Sequence, residues 1–335
     1  RVCAAVSPAD ASNWCASEVH SGAGMGGTPG QANGCVSLQP LPRIDRVQSD
    51  SPIPGQPTRV SAEVTDEAGV AAVTLLWESW LGDEAIGGGE VPLVRDTDSS
   101  GPERYGGCIP AQPADCLMRW VVRACSVSGA VRQCPAATDL HPTFSGATFV
   151  NTNTARIPFV KLLTFGRIQK PGAVRRVQAM VEESMRPPRS MRMDWGSTVI
   201  VLPPGIPEVL VFDHVRARRR KGGYKVEFQP DRPWAGLRAV NIIFESSPRS
   251  VLAEPLAFEL YRRAGVPAPA TDHVRLWVDQ TALGYHLLIE QPNRAFFRRL
   301  GRDPDGNLYK LVWYGRGVIG QHEKRTNRDT GHEDL

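Results

Sequence analysis

The residues of this chain able to do chemistry fall into two sets: seven cysteines before residue 141, and scattered lysines, carboxylates and one glycine pair after residue 215. The basic run at 216–221 leads into Gly222 and Gly223. Glycines let backbone amides come close to an anion and the arginines would neutralise it, so this stretch is a candidate phosphate cradle. Lysine is scarce, six among 39 basic residues. Lys225, on the strand that follows, and Lys310 and Lys324 downstream therefore stand out as point charges suited to a phosphate or a substrate. A helix after residue 250 carries two carboxylates. Leu252, Leu256 and Leu260 recur every four residues as one apolar stripe, which Glu259 borders while Glu254 points to the opposite face. Glu259 is therefore the better functional carboxylate; its alternative is a rim ion pair with Arg262 or Arg263. The sequence contains no Ser-His-Asp order, His-x-x-x-His pair or Walker loop, which leaves hydrolase and P-loop readings without residues.

Cys3, Cys15, Cys35, Cys108, Cys116, Cys125 and Cys134 are followed by none in the rest of the chain. Their spacings lack the paired Cys-x-x-Cys knuckles that zinc favours, so disulfides are preferred over metal, and an extracellular or cell-surface location follows. Charge divides at the same place: residues 1–140 hold 9 Lys+Arg against 16 Asp+Glu, a net −7, and residues 141–335 are net +11. A basic half suits phosphate, anionic polymer or nucleic acid. The run at 216–221 contains no aromatic side chain to stack bases, which ranks nucleic acid last among its partners.

The elements that must position these groups divide into three segments. Residues 1–37 are a Gly/Ser/Ala-rich linker, or the end of a small domain closing on the turn at 26–33. Residues 38–140 read as all-β, with alternation at 58–64, a turn at 65–69 and strands at 70–77 and 117–125. Trp77, Trp80 and Trp120 there are either core or a ligand platform. Residues 141–160 read as a polar connection without a period. Strands follow at 199–202, 209–215, 225–228 and 237–244, then a helix secure over 256–264 and closed by Gly265 and Pro267, a hairpin from 274–278 and 284–289, and a short helix at 293–300. No apolar run approaches the roughly 20 residues that span a bilayer. The start at Arg1 and the charged finish at Leu335 suggest a segment of something longer.

The blocks at 257–269, 274–279, 284–291 and 306–310, with the lysine-bearing strand 224–228 upstream and Glu323-Lys324-Arg325-Thr326-Asn327 downstream, resemble the spore-coat protein H (CotH) kinase family over about 141–335. Residues 38–140 resemble an immunoglobulin-like module of bacterial surface proteins, and 26–33 the close of a lamin-tail domain. The resemblance implies a multidomain chain: an all-β immunoglobulin-like sandwich, then a truncated α+β protein-kinase-like domain. It implies ATP with magnesium or manganese, and γ-phosphate transfer to Ser or Thr of secreted or surface proteins. By role, Lys225 is the phosphate clamp, Glu259 its helical partner, and Glu290 lies where the hairpin runs into a hinge. Gly222, Gly223, Lys310 and Lys324 sit toward the nucleotide, and Asn327 holds a metal or a backbone turn.

The chain departs from the family in two places. Ala217 stands where an Arg-Gly turn is usual, and Pro248-Arg249-Ser250 replaces the usual Asp and Leu-Arg ahead of the helix. The metal-binding aspartates are expected beyond Leu335, so the chain is expected to be inactive alone. The alternative function is a catalytically lapsed surface protein that serves as a binding or scaffold module.

Overall fold

The structure, a computed structural model, describes residues 41–96, 103–165, 196–220, 223–245, 251–311 and 316–334. The lamin-tail-like stretch at 26–33, Cys3, Cys15, Cys35 and Gly222 lie outside them. The chain forms two compact units, Arg1–Phe149 and Val150–Leu335.

The first unit is built from two antiparallel sheets. One runs β1-β2-β6-β5, with β1 Arg43–Ser49, β2 Thr58–Thr65, β5 Val94–Arg95 and β6 Arg104–Ile109. The other runs β4-β3-β7-β8, with β3 Val70–Leu81, β4 Glu84–Pro92, β7 Cys116–Ser126 and β8 Val131–Cys134; β9, Phe144–Ala147, also pairs with β7. Alternate residues of each strand, such as Val60, Ala62 and Val64 on β2 and Met118, Trp120 and Val122 on β7, meet in one core. The turn between β2 and β3 closes through Gly69, whose φ of 94° a side chain would resist, while the Asp66 carboxylate accepts from the Ala68 amide. Trp120 is a core residue, 3% exposed, and Trp77 packs against that core from the facing position on β3. No disulfide joins two described cysteines. Of the cysteines expected in disulfides, Cys134 is disulfide-bonded, whereas Cys108, Cys116 and Cys125 are free thiols, a correction for those three.

The second unit corrects the expected α+β kinase-like lobe. It is a closed barrel of seven strands in the order β10-β11-β12-β13-β14-β16-β15. The members are β10 Phe159–Leu163, β11 Ser197–Leu202, β12 Leu210–Arg220, β13 Gly223–Glu227, β14 Ala239–Ile243, β15 Thr271–Val278 and β16 Thr281–Glu290. Neighbours are antiparallel except that β10 runs parallel to β15 and so closes the sheet. Closure follows from the inward residues: Val160 and Leu162, Val199 and Val201, Val226, Val240 and Ile242, Val274 and Leu276, and Leu288 share one interior, and a complete ring leaves no strand edge unpaired. Helices are secondary to this core. Among the described residues they are α1 Ala253–Arg263, α2 Arg294–Arg299 and α3 Gly317–Gln321, and α1 buries no residue. A two-stranded ribbon of β17, Tyr309–Leu311, and β18, His322–Lys324, completes the unit. Among the described residues no helix is long and apolar enough to cross a membrane.

Candidate functional site

A cleft of about 830 Å³ opens on the outer face of the barrel, within the range of small-molecule sites. Asn241 and Ile243 of β14 and Ile289 of β16 supply its sheet side, Glu254, Phe258 and Tyr261 of α1 one wall, and Tyr309, Lys310 and Leu311 of β17 another. The three helix residues are spaced four and three apart and so share a face. Leu252, Leu256 and Leu260 occupy the other face at 54%, 58% and 67% exposure. The sequence reading of α1 therefore grouped its faces as they are, but the face turned to the cleft is the opposite one.

That rotation decides which carboxylate is available. Glu254 lines the cleft and has no ion-pair partner among the described residues. Glu259 lies on the leucine side, where Arg262 and Arg263 each hold it at 2.8 Å; the Arg262 and then the Arg263 hydrogen bonds keep its carboxyl below the usual range. The rim ion pair is what the structure contains.

Lys225 and Glu259 are not brought together. Lys225 faces Asn241 across the β13–β14 ladder, on the outer face, and its ammonium pairs with Glu227 two residues along the same strand. Alternation makes that pair a neighbour contact within one strand face. Burial would push the Glu227 carboxyl up, but the hydrogen bond and charge of Lys225, with Arg216 and Arg218, outweigh it and hold the group below the usual carboxylate range.

The remaining expected site residues divide. Lys310 lines the cleft with its ammonium unpaired among the described residues. Glu290 also borders the cleft, but it is 3% exposed and committed: its carboxylate accepts from Arg299 through both oxygens and from the Ala270 amide. Lys324 is turned away, buried, donating to the Thr330 hydroxyl and the Gly331 carbonyl at 2.6 Å each. Gly223 is required by packing, because a Cβ there would run into the Ile242 carbonyl of β14. Asn327, at φ 46°, is a turn residue: its Oδ1 accepts from Arg294 at 2.6 Å and its Nδ2 donates to the Asp305 carbonyl and Asn307. Guanidinium on the one oxygen it could offer does not fit a metal ion. Among the described residues no group of three or more His, Cys, Asp and Glu is placed to hold one.

The aromatic wall escaped the sequence reading, which set Glu254 aside in favour of Glu259. The usable signal was the spacing of Glu254, Phe258 and Tyr261, which mark a second, mixed face of α1. Tyr309 on the facing wall has its phenol held up to about 12 by desolvation and then by its hydrogen bond to Asp334, so it stays a neutral donor.

Acid should loosen this unit in two stages. His286 is buried beside Phe244, and burial pushes its pKa below the ordinary 6.5, the Gly284 carbonyl offsetting only part. For His286 and Glu227 alike the unfolded chain takes up the proton more readily than the folded one, so each contributes stability at high pH that is lost on acidification. The melting midpoint is expected to be flat above pH 7, to decline first below the ordinary histidine value of 6.5 and again below the ordinary glutamate value of 4.5. His286→Gln removes the first decline and Glu227→Gln reduces the second, to which Glu259 also contributes, in melts from pH 8 to 4; a midpoint that rises on acidification contradicts the assignment.

Residues 213–333 match the family model described as CotH kinase protein. The matched segment runs from within β12 through β18 and contains the whole cleft. No curated protein matches the chain.

Proposed function

We propose that the second unit binds ATP in this cleft and that the protein transfers the γ-phosphate to Ser or Thr of secreted or surface proteins, outside the cytoplasm. The observation that carries the reading is a nucleotide-sized cleft inside the matched segment, with aromatic side chains and an ammonium unpaired among the described residues on its walls. Phe258, Tyr261 and Tyr309 offer ring faces to adenine. Lys310 supplies the point charge for a phosphate oxygen, and Glu254 replaces Glu259 as the carboxylate on the cleft side of α1. A divalent ion arriving with ATP would neutralise phosphate charge. The extracytoplasmic location is supported by Cys134, the described cysteine in the disulfide-bonded state.

Titrating ATP into the purified chain by calorimetry tests the reading. Lys310→Ala is expected to weaken ATP about tenfold, the worth of one hydrogen bond to a charged group. Glu259→Ala is expected to leave ATP affinity as it is. A native chain that takes up no ATP ends the proposal.

A second reading, a binding or scaffold protein without phosphate transfer, is favoured by the Lys225–Glu227 pair, which occupies the lysine expected to clamp the nucleotide. Labelled-phosphate transfer to a serine-bearing acceptor separates the two. ATP bound without transfer supports the scaffold; transfer lost in Lys310→Ala supports the kinase.

A further inference from the structure

Next to the cleft, and sharing Arg325 with it, is a second cavity of about 500 Å³. Arg238, Arg294, Arg298, Arg325 and Arg328 line it, with Glu227 the one carboxylate among the lining residues. That carboxylate is already neutralised by Lys225. Arg325 pairs with Glu323 at 2.9 Å, and Arg294 is 3.8 Å from Asp305. The other three guanidiniums have no ion pair among the described residues. Arg238 donates to the neutral Phe228 carbonyl, and Arg298 and Arg328 have no hydrogen-bond or ion-pair partner among the described residues. Burial first, and then the neighbouring Arg298 charge, push Arg238 below the ordinary arginine range, although Glu227 and Asp231 oppose this. An anion entering this concave site meets guanidiniums with no acidic partner among the described residues to displace.

The lining discriminates among anions. None of its residues is aromatic, whereas the adjoining cleft presents Phe258, Tyr261 and Tyr309, so a base has nothing to stack on in this cavity. Planar guanidinium forks match a phosphate monoester, and the volume exceeds what one phosphate fills, leaving room for flanking carboxylates. We infer that this arginine-lined cavity binds a phosphorylated side chain carried on an acidic polypeptide stretch. Arginine clusters that read phosphorylated, acidic motifs work on the same chemistry. The inference does not depend on phosphate transfer in the cleft.

The test uses the whole 335-residue chain and three probes at fixed salt: an acidic phosphoserine peptide, the same peptide with unmodified serine, and ATP. Binding is followed by fluorescence anisotropy. The phosphopeptide is expected to bind at least about tenfold tighter than its serine counterpart, and Arg298→Ala and Arg328→Ala each to weaken it about tenfold. Both residues are solvent-exposed and without a partner among the described residues, so the variants' melting midpoints and ATP affinities stay as in the native chain. Equal binding of the two peptides, or phosphopeptide binding indifferent to both substitutions, overturns the inference. It is overturned as well if ATP displaces the phosphopeptide and weakens in parallel in both variants, since the cavity would then hold the nucleotide's own phosphates.

Discussion

Arg299→Ala is expected to destabilise the second unit by about 3 kcal/mol, because it strands a buried carboxylate. Glu290 ends β16 at 3% exposure, and Arg299 on the last turn of α2 holds it with a fork, Nε to Oε1 at 2.9 Å and Nη2 to Oε2. The Ala270 amide donates to the same carboxylate at 3.0 Å. One backbone donor does not compensate an ionised group removed from water, so the cost is that of an unpaired buried charge. The Arg299 side chain is 29% exposed, which lets solvent reach part of the pair and places the loss at the lower end of the usual range. For a unit of this size about 3 kcal/mol corresponds to a fall of about 6 to 12 °C in the melting midpoint. Arg299→Lys keeps the charge but loses the fork and the stacking over Phe296, where Arg299 sits 5.7 Å from the ring centroid, and is expected to fall between alanine and native. A native-like midpoint for Arg299→Ala would show that this pair does not carry the stability assigned to it.

Gly223→Ala has a comparable effect for a steric reason. Gly223 starts β13 with Arg220 opposite on β12 and Ile243 opposite on β14. A Cβ built on it lands on the Ile242 carbonyl and comes within 3.1 Å of the Ile243 Cα. These are backbone atoms of a closed ring, which cannot swing aside as a side chain tip can, so the cost is expected near the top of the roughly 1–3 kcal/mol range for overpacking. Hydrogen exchange should accelerate first in the amides of β13 and β14. The same variant separates packing from ligand contact. If Gly223 serves only the close approach of strands, the folded fraction of Gly223→Ala binds ATP as tightly as the native chain; weaker binding at equal folded fraction would return Gly223 to the phosphate cradle.

Much of the second unit was legible as separate strands. Alternation or short apolar runs marked β11, β12, β14, β15 and β16, and Asn293 was placed at the start of α2, where its side chain caps Ala295 and Phe296. The barrel was not. It depends on β10, five residues long, inside a stretch whose upstream part reads as a polar connection, and on the parallel pairing of β10 with β15 across more than a hundred residues of chain. Nothing local in Phe159–Leu163 announces a partner so distant. Two fork residues show the same limit: Glu290 and Arg299 carry no mark of each other in the sequence.

The amino-acid sequence alone determined which side chains share a face. Leu252, Leu256 and Leu260 fall together, as do Glu254, Phe258 and Tyr261, because 3.6 residues per turn is a property of the backbone. It determined that Lys225 and Glu227 lie on one side of a strand for the equivalent reason, a period of two. Only the tertiary structure decided which of those faces meets the cleft. Strand closure set the outer surface of the barrel, α1 was laid on it with its leucines outward, and the lysine met the carboxylate of its own strand before it could reach one on the helix.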